Sequence, residues 1–486
     1  MSSSADVSDS PHAASVEPKT DQAAEDDGPG GQPTGTAEDS RSLKKLAIRG
    51  SMYELMGYGA SMVLRLGGNL VLTRFLVPAD FGLVAIVSAI LYGLEMMSDV
   101  GLRMAVIQQP RGDDQDFLDT VWTLQVIRGL TLWTVACAIT YPIAQFYEEP
   151  QLLALIPVGA SATLVSGFCS TSLYTVRRHL RLGLVNLIEF LSRLAAVVVM
   201  IGWAMVSPTV WALVAGGVTA GLVRLVSSYM VPVGYRNRFH WDKEAARGVV
   251  HFGKWIFGST ALYYVGSRMD QFMLGHYMGM ATLGVYSFAV MISEAAYAVM
   301  AKIIRGVLFP VFSRFAEMGP DRLREAYYQT RLRLDAVSMP ALGGLMALSQ
   351  FIIDLGWDER YAAAGWMLQF LCIRAAMGIV LDSCETCFIA LGQPRWAFFR
   401  NLVRTIWVIC GIPVAYSNFG IQGLVWVMGL SELPLFFVMF PAFHKMGFLR
   451  LSREILAPIF FVAGYGLGYV LIDPLTSVAE ALTALL

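Results

Sequence analysis

Ala195-Ala196-Val197-Val198-Val199-Met200-Ile201-Gly202-Trp203-Ala204-Met205-Val206-Ser207-Pro208-Thr209-Val210-Trp211-Ala212-Leu213-Val214 carries no charge and is broken only by the short turn Val206-Ser207-Pro208. Arg177, Arg178 and Arg181 precede it, and Arg236 and Arg238 follow the next apolar run. Two apolar segments, 183–206 and 209–233, therefore share a cation-free connection at one end and finish in cationic connections at the other. A soluble domain has no reason to place its cations that way. A chain woven through a bilayer does, because a hydrocarbon core of about 30 Å takes about 20 apolar residues and cytoplasmic loops collect Lys and Arg.

The same pattern extends in both directions. Candidate spans lie at about 50–75, 81–106, 118–142, 152–173, 183–206, 209–233, 253–276, 281–309, 332–354, 361–390, 397–416, 420–443 and 454–472. One set of connections holds Lys44, Lys45 and Arg49, then Arg111, Arg177 to Arg181, Arg236 to Arg247, Arg314 to Arg324, Arg395 and Arg400, and Lys445 to Arg453. The alternate set holds little besides Arg360. By the positive-inside rule the N-terminus is cytoplasmic. At 56% apolar and 15% charged residues, the chain lies outside the composition of soluble domains. It reads as an all-α polytopic membrane protein.

The division of the chain follows from composition. Residues 1–42 are acidic and Ser/Gly/Pro-rich, a cytoplasmic tail that cannot bury enough apolar surface to fold. It has no basic n-region followed by an apolar core, so the first span is expected to direct insertion. Residues 43–235 form an N-terminal six-helix bundle and 236–450 a C-terminal one, with an amphipathic surface helix at 240–253 leading into the seventh span. Residues 451–486 add a further C-terminal membrane helix, and Pro474 to Leu486 is too short to cross as a fourteenth. The two-bundle reading rests on an internal repeat: Asn69, Leu72, Ala79 and Gly82 recur 202 positions later as Gln271, Leu274, Ala281 and Gly284. Such parallel repeats imply an axis along the membrane normal.

Neither a phosphate-binding Gly-Lys-Ser/Thr loop nor a pair of metal-binding histidines on a helix occurs in the sequence. No metal or cofactor is expected, and no catalytic residue. The far-side connections are only a few residues long, which leaves little room for a membrane enzyme's active site. The six cysteines sit in apolar stretches, and Cys384 and Cys387 read as small helix residues and not as a redox pair.

The chemistry that remains is ionisable and intramembrane. A charge at mid-bilayer costs about 2.5–3.5 kcal/mol on insertion scales, so the many such residues here must face one another or a wet interior. Glu189 and Arg193, four apart, are expected to pair on one helix face. Arg404 and Asp99, near helix ends, are expected to snorkel to the interface. Arg268 and Asp270 are two apart and need different partners. Arg65, Arg128, Arg224, Arg268 and Arg374 are then left as deep cations from five spans. A guanidinium stays charged and its fork of donors matches phosphate oxygens, so these five are candidates for a cationic cavity receiving a phosphate headgroup. Glu95, Asp270, Glu294, Asp382 and Glu432 are the carboxylates that either neutralise them or take part in coupling. The plainer reading, in which the charges only hold helices together, stands beside the cavity.

Particular strings resemble a known family. They are Leu72-Thr73-Arg74-Phe75-Leu76-Val77-Pro78-Ala79-Asp80-Phe81-Gly82-Leu83, then Ser98-Asp99-Val100-Gly101-Leu102 with Gln108. The run Ser267-Arg268-Met269-Asp270 through Leu283-Gly284-Val285-Tyr286-Ser287 to Leu308-Phe309-Pro310-Val311-Phe312-Ser313-Arg314 belongs with them. They look like the polysaccharide transporter family of oligosaccharide flippases, in the multidrug/oligosaccharidyl-lipid/polysaccharide exporter superfamily, over about residues 45–450.

The resemblance implies two six-helix bundles around a V-shaped lumen that opens alternately to either side of the bacterial inner membrane. The cargo it implies is an undecaprenyl-pyrophosphate-linked oligosaccharide, the repeat unit of an exopolysaccharide, capsule or O-antigen. Partners would be this lipid-linked oligosaccharide, membrane lipids and the polymerase or export machinery, with no nucleic acid. The family's Arg-x-x-Asp-like region is Arg-x-Asp here, so its acidic role does not map cleanly onto Asp270. A cation-coupled multidrug exporter of the same superfamily is the alternative; it would favour a carboxylate-rich lumen and an acidic first span, where this chain has Arg65.

Overall fold

The computed structural model describes residues 56–98, 102–179, 181–231 and 237–485. The acidic tail, Asp99 and Arg236 fall outside them. Every regular element among these residues is a helix.

Helix α1 covers 56–72, and a tight turn leads to α2, Pro78–Met97. The start of α2 is set locally. Pro78 supplies a fixed φ at the first helical position, and the Asp80 carboxylate accepts a hydrogen bond from the Val77 N–H at 3.2 Å. Short α3, Leu102–Gln108, precedes α4, Gln115–Tyr147, whose N-terminus is capped by Asp114. Next come α5, Leu152–Gly167, α6, Ser172–Arg178, α7, Leu182–Val206, and α8, Trp211–Met230.

The second part begins with α9, Lys243–Ile303, followed by a π-helical stretch at Ile304–Leu308 and α10, Phe309–Ala316. Helices α11, Pro320–Ala347, α12, Ser349–Gly356, and α13, Ala363–Ala390, follow. The chain ends in α14, Arg395–Gly429, α15, Leu433–Lys445, α16, Leu451–Glu454, and α17, Leu456–Leu485.

Two of these helices are hairpins. At Gly279 the backbone has φ 78° and ψ 170°, a region only glycine adopts without strain. Tyr264, before it, donates to the Ala89 carbonyl of α2 at 2.8 Å. Met291 and Lys302, after it, meet Asn69 and then Tyr58, descending α1. The chain therefore rises to Gly279 and returns. Gly420, with φ 60° and ψ −139°, does the same within α14. There Trp407 donates to the Val427 carbonyl at 3.0 Å, and Gly423 packs against Ala415.

Among the described residues, eight helices are long and apolar enough to cross a membrane, or ten if each of two bent pairs forms one span. Those two pairs are bent, α5–α6 by 61° and α11–α12 by 60°. The helix expected at 240–253 to lead into the seventh span starts at Lys243 and runs without interruption to the Gly279 turn, preceded by 237–242 without regular structure. That segment is stitched to α4: the Arg238, His240 and Asp242 N–H groups donate to Asp119, Thr123 and Thr120 side chains, each at 3.1 Å. At the C-terminus α17 continues through Pro474 to Leu485, so no separate fourteenth helix forms among the described residues.

The cationic connections gather on one side, termed the near side. Arg111 binds Asp242 at 3.2 Å and Arg178 binds Asp113 at 3.0 Å. In the second half Arg450 binds Glu325 at 3.2 Å. On the opposite, far side a continuous apolar core draws on both halves of the chain. Leu72, Leu76 and Phe81 pack there with Met280, Leu283, Tyr286, Phe288, Ile353 and Tyr361. Phe288 lies 4.8 Å from Phe81 and 5.0 Å from Tyr361, ring to ring and edge-on. All six cysteines are unbridged.

Candidate functional site: a charged cavity between the halves

Three neighbouring cavities share lining residues among the described helices. The largest, about 730 Å³, is lined by α2, α5, α7, α8 and α9, including Tyr92, Glu95, Arg193, Arg224, Arg268 and Gln271. Tyr92 and Arg268 also line a second cavity of about 470 Å³ in the second half, with Glu294, Arg305, Arg374, Asp382, Glu385, Arg400, Arg404 and Glu432. Glu95 and Arg224 also line a third, about 120 Å³, beside Gln125, Arg128, Thr163 and Tyr174.

The charges differ sharply between the halves. In the second, Arg400 is 7% exposed and holds three carboxylates at once: Asp382 at 2.6 Å, Glu385 at 2.7 Å and Glu432 at 3.2 Å. Arg404 shares Glu432 at 3.2 Å, and the Tyr297 hydroxyl donates to Asp382. Arg374 approaches the buried Asp270 at 3.9 Å, and Tyr286 donates to the same carboxylate oxygen at 2.8 Å. The carboxylates here are thus largely occupied, which is what a low-dielectric setting demands of buried charge.

The central cavity is the reverse. Arg193, Arg224 and Arg268 line it, and none forms an ion pair with a carboxylate among the described residues. Arg268 lies 5.1 Å from the centre of the Tyr92 ring, a cation–π contact that leaves its N–H donors available. Of the two carboxylates that also line it, one is paired with an arginine outside the cavity and the other accepts from a hydroxyl. Glu189 binds Arg177 at 2.8 Å, and Glu95 accepts from Thr163 at 2.9 Å. An anion with several oxygens is the natural complement to three such guanidiniums.

The five deep arginines expected from sequence are therefore divided. Arg224 and Arg268 face the central cavity. Arg128 lines the smallest one, fixed by Ser98 Oγ at 2.9 Å and the Glu95 carbonyl at 2.7 Å. Arg374 belongs to the neutralised second-half network, and Arg65 on α1 lies within electrostatic reach of Glu294, Arg193 and Arg268. Of the five carboxylates, Glu95, Glu294, Asp382 and Glu432 line cavities, and Asp270 is sealed beside Tyr286.

Two sequence expectations are corrected. Glu189 pairs with Arg177 across the α6–α7 turn, not with Arg193, because the bend brings Arg177 against the start of α7. Arg404 does not snorkel, since the buried Glu432 holds it inside. Arg193 and Arg400 line the cavities but are hidden in the sequence for opposite reasons: Arg193 has an apparent partner at helical spacing, and Arg400 stands at a span end among the cations of a connection.

The sequence profile of a family described as "Polysaccharide biosynthesis protein" matches residues 71–364. The lipopolysaccharide biosynthesis protein WzxC of Escherichia coli K12 is 22% identical over 440 residues, covering 88% of this chain and 89% of that one. The succinoglycan biosynthesis transport protein ExoT of Rhizobium meliloti is 22% identical over 375 residues, covering 75% and 74%. Among solved structures, the lipid II flippase MurJ in an inward closed conformation superposes with a TM-score of 0.58 at 13% identity. It covers 90% of this chain and 98% of that one.

Proposed function

Because the chain belongs to the polysaccharide biosynthesis protein family, we propose that it is a flippase carrying an undecaprenyl-pyrophosphate-linked oligosaccharide across the bacterial inner membrane by alternating access. The N-terminus and the cation-rich near side are cytoplasmic in this reading. The observation that carries it is the set Arg193, Arg224 and Arg268 around one central cavity, cations with no carboxylate partner among the described residues. A diphosphate presents oxygens to several guanidiniums at once. The carrier's hydrocarbon tail has no need to enter, since it remains soluble in lipid throughout.

This role is transport, not catalysis, in keeping with the transport protein ExoT and the flippase MurJ that the chain resembles. The multidrug-exporter alternative needs carboxylates available to a cationic drug or coupling ion, and most of those here are already held by arginine.

The test is the distribution of lipid-linked oligosaccharide between the two leaflets, read with an impermeant sugar-oxidising label in cells with and without the chain. Accumulation on the cytoplasmic side in its absence is the expected result. An unchanged distribution, in a strain with no redundant flippase, would move the assignment to a drug exporter. Arg193→Gln, Arg224→Gln and Arg268→Gln should each reproduce the accumulation at normal membrane abundance.

A further inference from the structure

We propose that the smallest cavity, between α2, α4, α5, α6 and α8, is a subsite for a single sugar ring, the one attached directly to the diphosphate. The proposal rests on the flippase reading and adds a place where the glycan itself is inspected.

Size is the first argument. The cavity's volume of about 120 Å³ is about four times the share of one water molecule in the liquid, which suits one ring set in its mouth and not a chain of them.

The second is the preorganised polar wall. Gln125, 6% exposed, donates through Nε2 to the carbonyls of Ser166, Gly167 and Cys169 at 3.1, 3.1 and 3.0 Å. Its Oε1 accepts from the Tyr174 hydroxyl at 2.9 Å. Arg128 is fixed through Nε and Nη2 to Ser98 and the Glu95 carbonyl, which leaves Nη1 for a ligand. Thr163 holds Glu95 through Oε1. A carboxylate beside guanidiniums offers acceptor and donor to adjacent hydroxyls, and such charge-assisted hydrogen bonds are strong. Leu132 and Leu173 complete the lining and give the C–H face of a pyranose an apolar surface. A drug site would be mostly apolar.

Position is the third. Glu95, Thr163, Ser166 and Arg224 line both this cavity and the central one. A diphosphate held on Arg224 and Arg268 therefore has its attached ring at the mouth of the small cavity, while later sugars remain in the larger space.

The full chain in lipid nanodiscs is titrated with farnesyl diphosphate and with its glucosyl, galactosyl and N-acetylglucosaminyl conjugates. At least one conjugate is expected to bind about tenfold tighter than farnesyl diphosphate. That ratio should fall toward one in Thr163→Val and in Glu95→Gln, with thermal melting used to confirm that each variant is folded. Conjugates that bind no tighter than farnesyl diphosphate, or a ratio that survives both substitutions, would overturn the subsite. Failure of wild type to bind farnesyl diphosphate at all would instead remove the diphosphate site, and the subsite with it.

Discussion

Gly82 and Gly284 make reciprocal contacts across the two halves. A Cβ on Gly82 would fall 1.9 Å from the Met280 carbonyl oxygen, and one on Gly284 would fall 1.8 Å from the Pro78 carbonyl oxygen. The sequence offset of 202 maps 82 onto 284 and 78 onto 280, so the two contacts are the same contact seen from either repeat. Here glycine serves close backbone approach and not positive φ. Gly82→Val and Gly284→Val should therefore act alike. Overpacking costs about 1–3 kcal/mol, roughly a five- to 150-fold shift against the closed far side. Labelling of a cysteine introduced at Leu76, by an impermeant thiol reagent applied from the far side, should rise in both variants. A large rise in one and none in the other would refute the symmetry.

Arg400 and Arg268 should separate stability from transport. Arg400→Gln leaves Asp382, Glu385 and part of Glu432 without their cation, and breaking a buried pair costs about 3–5 kcal/mol. Membrane abundance should fall severalfold. Arg268→Gln removes no ion pair among the described residues, so abundance should hold while glycan export is lost. Quantitative membrane immunoblots alongside surface glycan yield decide the matter, and equal protein loss in both variants would make Arg268 structural.

The contrast between these two arginines shows how far the residues could be read unaided. Apolar spans and alternating cations are properties of composition and order, so the helical membrane fold was legible from stretches such as 183–233. Gly82 and Gly284 were visible as a repeat because close backbone contact leaves only one residue type. Charge partners were not legible, since pairing depends on which helix faces meet. Glu189 has a cation four residues along its own helix, but the α5–α6 bend supplies Arg177 first. Arg400 looks like a topological signal, yet α13 and α15 bring it three carboxylates.

A far-side tether gives a pH prediction. Arg360 donates to the Thr73 carbonyl at 3.1 Å, linking the turn after α1 to the segment before α13, and is oriented by Asp358 at 2.6 Å. The hydrogen bond from Arg360 holds the Asp358 carboxyl below its ordinary range. A depressed carboxyl contributes stability that is fully present above its unfolded value, about 3.9, and lost as pH falls through the folded one. Far-side accessibility of the same cysteine probe should thus stay constant from about pH 8 to pH 5 and increase only below about pH 4. A change centred near neutrality would show that another group controls the closure.

Helix α17 is seated by glycines, and only one of its faces should be sensitive. A Cβ on Gly464 would fall 2.3 Å from Pro340, one on Gly343 would fall 2.1 Å from the Phe461 carbonyl oxygen, and Gly468 sits against Gly344 and Ala347. Gly464 and Gly468 are four apart, the spacing that lets membrane helices approach closely. Nearby, the buried Glu454 of α16 accepts from Tyr328 at 3.1 Å and binds Arg331 of α11. Gly466, on the same helix, has open space around it. Gly464→Leu should therefore lower thermal stability in detergent by about 1–3 kcal/mol, while Gly466→Leu should stay within about 0.5 kcal/mol of wild type. The measurement is the aggregation midpoint of the purified variants on heating. Equal losses from both would mean that α17 is not held by close packing on α11, and that the buried Arg331–Glu454 pair alone keeps it in place.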